Sequence, residues 1–452
     1  MGDEEEIGAE MMLEDGEDTP ASLHDPIKRH EMLSRKNHDA INKFLGEGSR
    51  SVEAYSTKWY YTALLVWTVK RITTSPGWKT VSHHGYSLAE PVFRDIPTDY
   101  IKSESCMVDG QILVEKEDMR LVITVNAMQR AANAIQIEAG AERIEEIKIL
   151  IQDIAAFLKE HNFYRGKKIS FELGISFLNA GQRDWDSVIL DPAMKKEIRL
   201  NTIGFLKNCT RLEKYGVPPK RGIILAGEPG TGKTIVCKAL MSEADNITCI
   251  TTAAYGMLHE RYISDLFSIA QDLSPSMVFM EDMDLIGQGR HDFYPGTPPL
   301  IALLAEMDGI AEKTAIVTVA TSNCFETLDK ALSERPSRFD RVFRITRPAY
   351  QQRAELVKHI SEKIPLSEDV REYIVQKTDG FTPAQLQEVL HGMVIAHIAM
   401  EEETMQFNRS DVDATIALLN MRKNGAIGFN AIPYRYAKDS TEQNRRKEEP
   451  ES

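Results

Sequence analysis

Ile223-Ile224-Leu225-Ala226-Gly227-Glu228-Pro229-Gly230-Thr231-Gly232-Lys233-Thr234 is the stretch from which the fold can be read. Its first four residues form a short apolar run suited to a buried strand. The next eight satisfy GxxxxGK[ST], and a helical run over 235–243 follows. Strand, Gly-rich loop and helix in that order give the motif its chemical meaning. The glycines let consecutive backbone N–H groups curl around phosphate oxygens, and the positive end of the helix dipole reinforces them. Lys233 is placed to reach the β and γ phosphates, and Thr234 to set its hydroxyl on Mg²⁺. Gly227, Glu228, Pro229, Gly230, Thr231, Gly232, Lys233 and Thr234 are therefore the expected nucleotide cradle.

Downstream, the apolar residues 277–280 read as a second buried strand that releases Glu281, Asp282 and Asp284 at its C-terminal edge, where ligands bind in open α/β sheets. One of the pair Glu281-Asp282 is expected to support Mg²⁺, and the other to orient or polarise an attacking water. A third strand over 316–320 ends in Thr321-Ser322-Asn323, whose amide is placed to hold the lytic water or the γ-phosphate. Ser337-Arg338-Phe339-Asp340-Arg341 leads into a fourth strand over 342–345, and two guanidiniums flanking an aromatic suit presentation of charge to phosphate. From Asp184 onward apolar strands alternate with helices, which predicts a parallel sheet with crossover helices. After Pro348 only helical segments remain, over 354–363, 369–377, 383–400 and 411–421.

The N-terminal half is β-like over about 50–130. Ile112 and Val114, a polar Lys116-Glu117-Asp118 turn, and Val122, Ile123 and Val125 predict a hairpin. Ile144, Ile147, Ile151, Ile154 and Leu158 recur at helical spacing and predict a helix with one apolar seam. The apolar run 59–69 falls short of the roughly 20 residues that span a bilayer and reads as a buried strand or helix.

The 452 residues carry 54 Lys plus Arg against 68 Asp plus Glu, a net charge of −14, which argues against a protein held mainly on a nucleic-acid backbone. Nine of the acids lie within residues 1–20, which contain no Lys or Arg. Residues 1–25 are thus expected to be a solvated acidic tail, and the remainder is only mildly acidic. An acidic N-terminus does not resemble a secretory signal. Five cysteines without a CxxC pair or zinc spacing predict a reducing, cytoplasmic setting.

Taken in order, the 227–234 loop, Leu303 to Gly309, Asn323, Leu328-Asp329-Lys330-Ala331-Leu332 and Ser337 to Arg341 resemble the AAA family of ATPases over about 184–420. The resemblance implies a P-loop AAA+ parallel sheet core (184–348) with a C-terminal helical lid (349–421). A small mixed α/β N-terminal domain (26–135) that recruits substrate or adaptor precedes it, joined by a connecting helix and linker (136–183), and a flexible tail (422–452) ends the chain. It implies ATP and Mg²⁺ as ligands, Asn323 as sensor 1, and Arg338 and Arg341 as arginine fingers serving a neighbouring subunit. A homo-oligomeric ring, a hexamer, follows from those fingers. Gly380 to Ala384 matches the segment that lies against adenine, and Tyr255 falls where unfoldases carry a pore-loop aromatic that grips a protein substrate. Residues 287–299 are either a second pore loop or a passive linker. Most members have Asp then Glu where this chain has Glu281 then Asp282, an order shared with the mitochondrial Rieske-protein translocase type. It places Glu281 on the Mg²⁺ side and Asp282 on the water. The implied function is a ring ATPase that remodels, unfolds or translocates protein; the alternative is an ATP-binding assembly switch with little turnover. No HExxH occurs, so proteolysis would need a partner.

Overall fold

The computed structural model describes residues 26–88, 90–127, 134–179, 181, 183–252, 256–284, 299–310, 314–324, 339–399 and 406–423. The acidic tail, Tyr255, residues 287–298, residues 328–332, Arg338 and residues 424–452 lie outside the described residues.

The first sheet is antiparallel throughout. It runs β1 (Arg50–Ser56), β6 (Ala134–Gly140), β5 (Met119–Asn126), β4 (Ser103–Lys116) and β2 (Lys79–His84), with β3 (Val92–Pro97) also paired to β4. The expected hairpin is β4–β5, closed at Glu117 with a φ of +55°. Helix α1 (Pro26–Leu45) covers one face, where Ile41, Phe44 and Leu45 meet Leu113 and Val122. The apolar run 59–69 resolves as a 3-10 turn (Trp59–Tyr61) leading into helix α2 (Thr62–Thr73), which buries Leu64, Leu65, Val66 and Val69. Helix α3 (Ile144–Glu160) buries Ile147, Ile154 and Leu158 of the seam read from the sequence together with Leu150, while Ile144 and Ile151 are only partly buried.

The second sheet has the order β13 (Arg341–Arg344), β9 (Lys220–Ala226), β12 (Ile316–Ser322), β11 (Ser276–Met280), β10 (Thr248–Thr252), β7 (Lys168–Phe171) and β8 (Ile175–Phe177). All neighbours pair in parallel except the β7–β8 hairpin. Residues 136–183 were expected to hold a connecting helix and linker, yet β6 completes the first sheet and β7–β8 extends the second. Runs of four and three residues are too short to show a periodicity, and only their long-range pairing makes them strands.

Side-chain alternation divides the core of this sheet. Ile224, Ala226, Ile250, Val278, Met280, Ile316 and Ala320 face one way. Ile223, Leu225, Cys249, Met277, Phe279, Val317 and Val319 face the other. The second face is covered by α4 (Pro192–Arg199), a π-helical turn (Leu200–Gly204), the short α5 (Phe205–Lys207) and α6 (Cys209–Glu213), and α7 (Lys233–Glu243). The first is covered by α8 (Glu260–Asp272) and α9 (Pro299–Gly309), and its apolar cluster runs on without a break into α2, α3 and the first sheet. The lid has its own core, built from α10 (Tyr350–Ile360), α11 (Glu368–Lys377), α12 (Pro383–Ala399) and α13 (Arg409–Lys423). Among the described residues no helix is long and apolar enough to cross a membrane.

One seam welds the N-terminal unit to the second sheet. The Trp59 indole N–H donates to Asp265 at 2.8 Å, and Lys58 Nζ donates to Ser268 at 2.6 Å and pairs with Asp272 at 2.7 Å. Residues 265, 268 and 272 share one face of α8 at helical spacing. Tyr262, on the preceding turn, stacks on Phe171 with ring centres 4.7 Å apart and donates its hydroxyl to the Phe171 carbonyl. Asp265→Ala leaves the Trp59 N–H unpaired in a half-buried place and is expected to cost about 1 kcal/mol. Urea unfolding checks this: Asp265→Ala combined with Trp59→Phe should destabilise by less than the two single changes added together, since both remove the same bond.

Candidate nucleotide site

Backbone geometry explains why the 227–234 loop can turn as it does. Gly230 has φ +81° and Gly232 φ +104°, a region that side chains rarely enter. A Cβ on Gly227 would lie 2.2 Å from the Ile345 carbonyl oxygen, so only glycine admits β13's exit strand beside the loop. The Thr231 hydroxyl donates to the Glu228 carbonyl at 2.8 Å, closing the curve.

Lys233 opens α7 and is buried, with Nζ donating to the Gly227 carbonyl at 2.7 Å and the Glu228 carbonyl at 3.0 Å. Burial lowers its pKa, and the charges of Asp282 and Asp284 oppose that shift. The ammonium is thus parked on neutral carbonyls that polyphosphate oxygens can outbid.

The acids leave β11 in different directions. Glu281 sits against the Thr234 side chain and near Lys238 of α7; burial, then the adjacent Asp282 charge, raise its pKa, while Lys238 and Thr234 offset part of the rise. Asp282 adopts φ +55°, which Asp tolerates better than most residues. That turn is held by its own N–H donating to Thr321 Oγ1 at 3.0 Å and by the Met283 N–H donating to the Thr321 carbonyl at 2.8 Å. Asn323 Nδ2 donates to Asp282 Oδ1 at 2.8 Å, and the Asn323 N–H donates to the buried Asp284 carboxylate at 2.9 Å. β11 and β12 are neighbours in register, which brings residues 41 apart in sequence into this contact.

A cavity of about 540 Å³ lies between the sheet edge and the lid, lined at its polar end by Gly230 to Thr234, Asp282 and Asn323. The rest of the lining includes the apolar Val188, Ile189, Leu190, Leu356 and Ile360, and among its polar residues are four that no motif contains: Arg183, His359, Gln387 and His391. Those four escaped the sequence reading. Ala384, Gln387 and His391 do repeat at helical spacing along one face of α12, but nothing local marks that face as facing a ligand. Of the 380–384 segment, Pro383 and Ala384 line the cavity.

Arg341 lies elsewhere. It opens β13 opposite Ile223, whereas the loop begins at Gly227, four residues further along the parallel β9. That separation is on the order of 13 Å along the strand and puts Arg341 toward the edge of the sheet away from its own loop.

The donor set suits a Mg²⁺-nucleotide: loop amides and a lysine for phosphate, a hydroxyl beside a carboxylate for the cation, and an apolar slot of base size.

Residues 223–347 match the family model described as ATPase family associated with various cellular activities (AAA). Over 255 residues the chain is 30% identical to "ATP-dependent zinc metalloprotease FtsH 2" of Salinibacter ruber, covering 54% of this chain and 37% of that protein. Over 232 residues it is 31% identical to "Proteasome-activating nucleotidase" of Saccharolobus solfataricus, 48% of this chain and 58% of that one. Over 197 residues it is 33% identical to the "Mitochondrial inner membrane i-AAA protease supercomplex subunit YME1" of Saccharomyces cerevisiae, 42% and 26%. The chain thus spans between about a quarter and somewhat over half of the length of these relatives. Residues 223–347, built around a cavity where Lys233, Asp282 and Asn323 meet, thus form a domain that matches the AAA family of ATPases.

Proposed function

We propose that the protein is a ring-forming ATPase that couples ATP hydrolysis to the remodelling, unfolding or translocation of a protein substrate. The observation that carries this is the convergence of the loop, Lys233, Asp282 and Asn323 on one cavity roofed by a separate lid. Mg²⁺ held by Thr234 and Glu281 would supply Lewis-acid polarisation of the phosphoryl oxygens. Lys233 leaves its two carbonyls for the phosphates, and Asp282, steadied by Asn323 and by its Thr321-locked backbone, orients and polarises the attacking water. Arg341, remote from its own loop, serves a neighbour's nucleotide together with Arg338, so turnover depends on a homo-oligomer, for which a hexamer is the proposed form. A protein substrate, gripped at Tyr255 and recruited through the 26–135 region, agrees with relatives named as an ATP-dependent protease and a proteasome-activating nucleotidase. Five cysteines that form no disulfide suit a reducing cytoplasmic setting.

A second reading, an ATP-binding assembly switch with little turnover, draws on the Glu281-Asp282 order, which gives the water-orienting position the shorter side chain. Phosphate release by the assembled protein decides between them. The ATPase reading expects Mg²⁺-dependent turnover that rises with protein concentration as rings form. It also expects Asp282→Asn to keep ATP bound while slowing release about 10²-fold or more and retaining substrate protein. Rings that bind ATP without turnover would establish the switch instead.

A further inference from the structure

Glu228 places a carboxylate inside a loop whose amides are gathered for an anion, which is electrostatically adverse unless the charge is neutralised. Its partner is Arg347, two residues before the lid begins at Ala349. Arg347 Nη2 donates to Glu228 Oε2 at 2.6 Å and Nε to the same oxygen at 3.1 Å, while Nη1 donates to the Gly380 carbonyl at 2.9 Å. One guanidinium therefore spans the phosphate loop, the hinge into the lid and the α11–α12 turn, where Gly380 has φ +73°. Two further contacts fasten the same parts. The Ala384 N–H donates to the Gly230 carbonyl at 3.2 Å, and the Ile345 N–H donates to the Ala226 carbonyl at 2.7 Å. The approach is close enough that a Cβ on Gly230 would lie 2.9 Å from the Ala384 Cβ. Glu228 and Arg347, with Asn323 and Thr231, also line a cavity of about 450 Å³ on their side of the loop.

We propose that Arg347 is a positioning residue for nucleotide binding: it cancels the Glu228 charge, holds that carboxylate on the lid side of the loop away from the polyphosphate, and ties the occupied loop to Gly380 of the lid. This rests on the reading of Gly227 to Thr234 as the nucleotide loop. Both side chains are about half exposed, at 51% and 57%, so the effect is modest and salt-sensitive.

The test is ATP and ADP affinity, by calorimetry on the full chain at low and moderate salt, for the native protein, Lys233→Ala, Arg347→Ala, Glu228→Gln and the Arg347→Ala/Glu228→Gln pair. Arg347→Ala should weaken ATP about two- to fivefold and ADP less, because the nucleotide with more negative charge suffers more from an uncompensated carboxylate. Glu228→Gln should bind at least as well as native, and the pair should return to within about twofold of native. Deuterium exchange at the 378–384 turn should rise in Arg347→Ala and stay raised in the pair, since the Gly380 bond is lost in both. An unchanged ATP affinity in Arg347→Ala, or a pair as weak as that single variant, overturns the proposal while native binding and loss in Lys233→Ala uphold the loop reading. A native chain that binds neither nucleotide, or a Lys233→Ala chain that binds as well as native, overturns both.

Discussion

Lys233→Ala will bind ATP at least about 100-fold more weakly than the native chain and will show no turnover. Removing one partner of a desolvated charge pair costs roughly 2–5 kcal/mol, and each 1.4 kcal/mol is tenfold in affinity. Lys233 is buried, so its ammonium faces little competing water once it turns from the Gly227 and Glu228 carbonyls to phosphate. Alanine at this helical position disturbs little else, since the loop's curvature is held by Gly230, Gly232 and the Thr231 hydroxyl. Equilibrium titration with a fluorescent ATP analogue checks the result, with thermal unfolding as the control for folding. Affinity within tenfold of native would contradict the role given to Lys233.

Arg341→Ala will retain ATP binding and lose about 10³-fold in turnover, the scale expected for an arginine supplied in trans. The register of β13 on β9 is the reason for expecting trans action, because Arg341 lies four residues back from the loop edge of its own sheet. Mixing Arg341→Ala with Lys233→Ala chains is the measurement that separates trans from cis action. In mixed rings some sites combine an intact loop with an intact finger, so phosphate release should recover to a fraction set by the mixing ratio. Mixed assemblies that stay inactive would place the finger in cis or make Arg341 structural.

The contrast between these two residues shows what kinds of feature local sequence can carry. The 227–234 loop is legible because its chemistry is compressed into eight consecutive positions, each with a backbone or side-chain requirement of its own. Glu281, Asp282 and Asn323 are legible at one remove, as polar residues ending apolar strands. Which acid faces the cavity is a tertiary matter, set by the positive φ of Asp282 and by Asn323 on the adjacent strand. Strand order adds what spacing does not contain: β12 lies between β9 and β11, so Asn323 sits between the loop and the acids. His359, Gln387 and His391 reach the cavity only through the placement of the lid, and Arg347 acquires a role only because Glu228 and Gly380 meet it from residues 119 and 33 positions away.

By itself the sequence determined the parallel α/β core, the phosphate loop, the acids that follow it, the helical lid and the β-hairpin character of the N-terminal half. Each of these is written in short-range periodicity or in a contiguous motif, and the energetics that enforce them act between near neighbours. Only the tertiary structure decided that β7–β8 joins the nucleotide-binding sheet and that α2, α3 and α8 share one apolar core. The same holds for Trp59 and Lys58 locking α8, and for Arg347 bridging loop and lid. Those features depend on contacts between segments far apart in the chain, whose geometry is set by how whole sheets and helices pack, and no window of neighbouring residues contains that information.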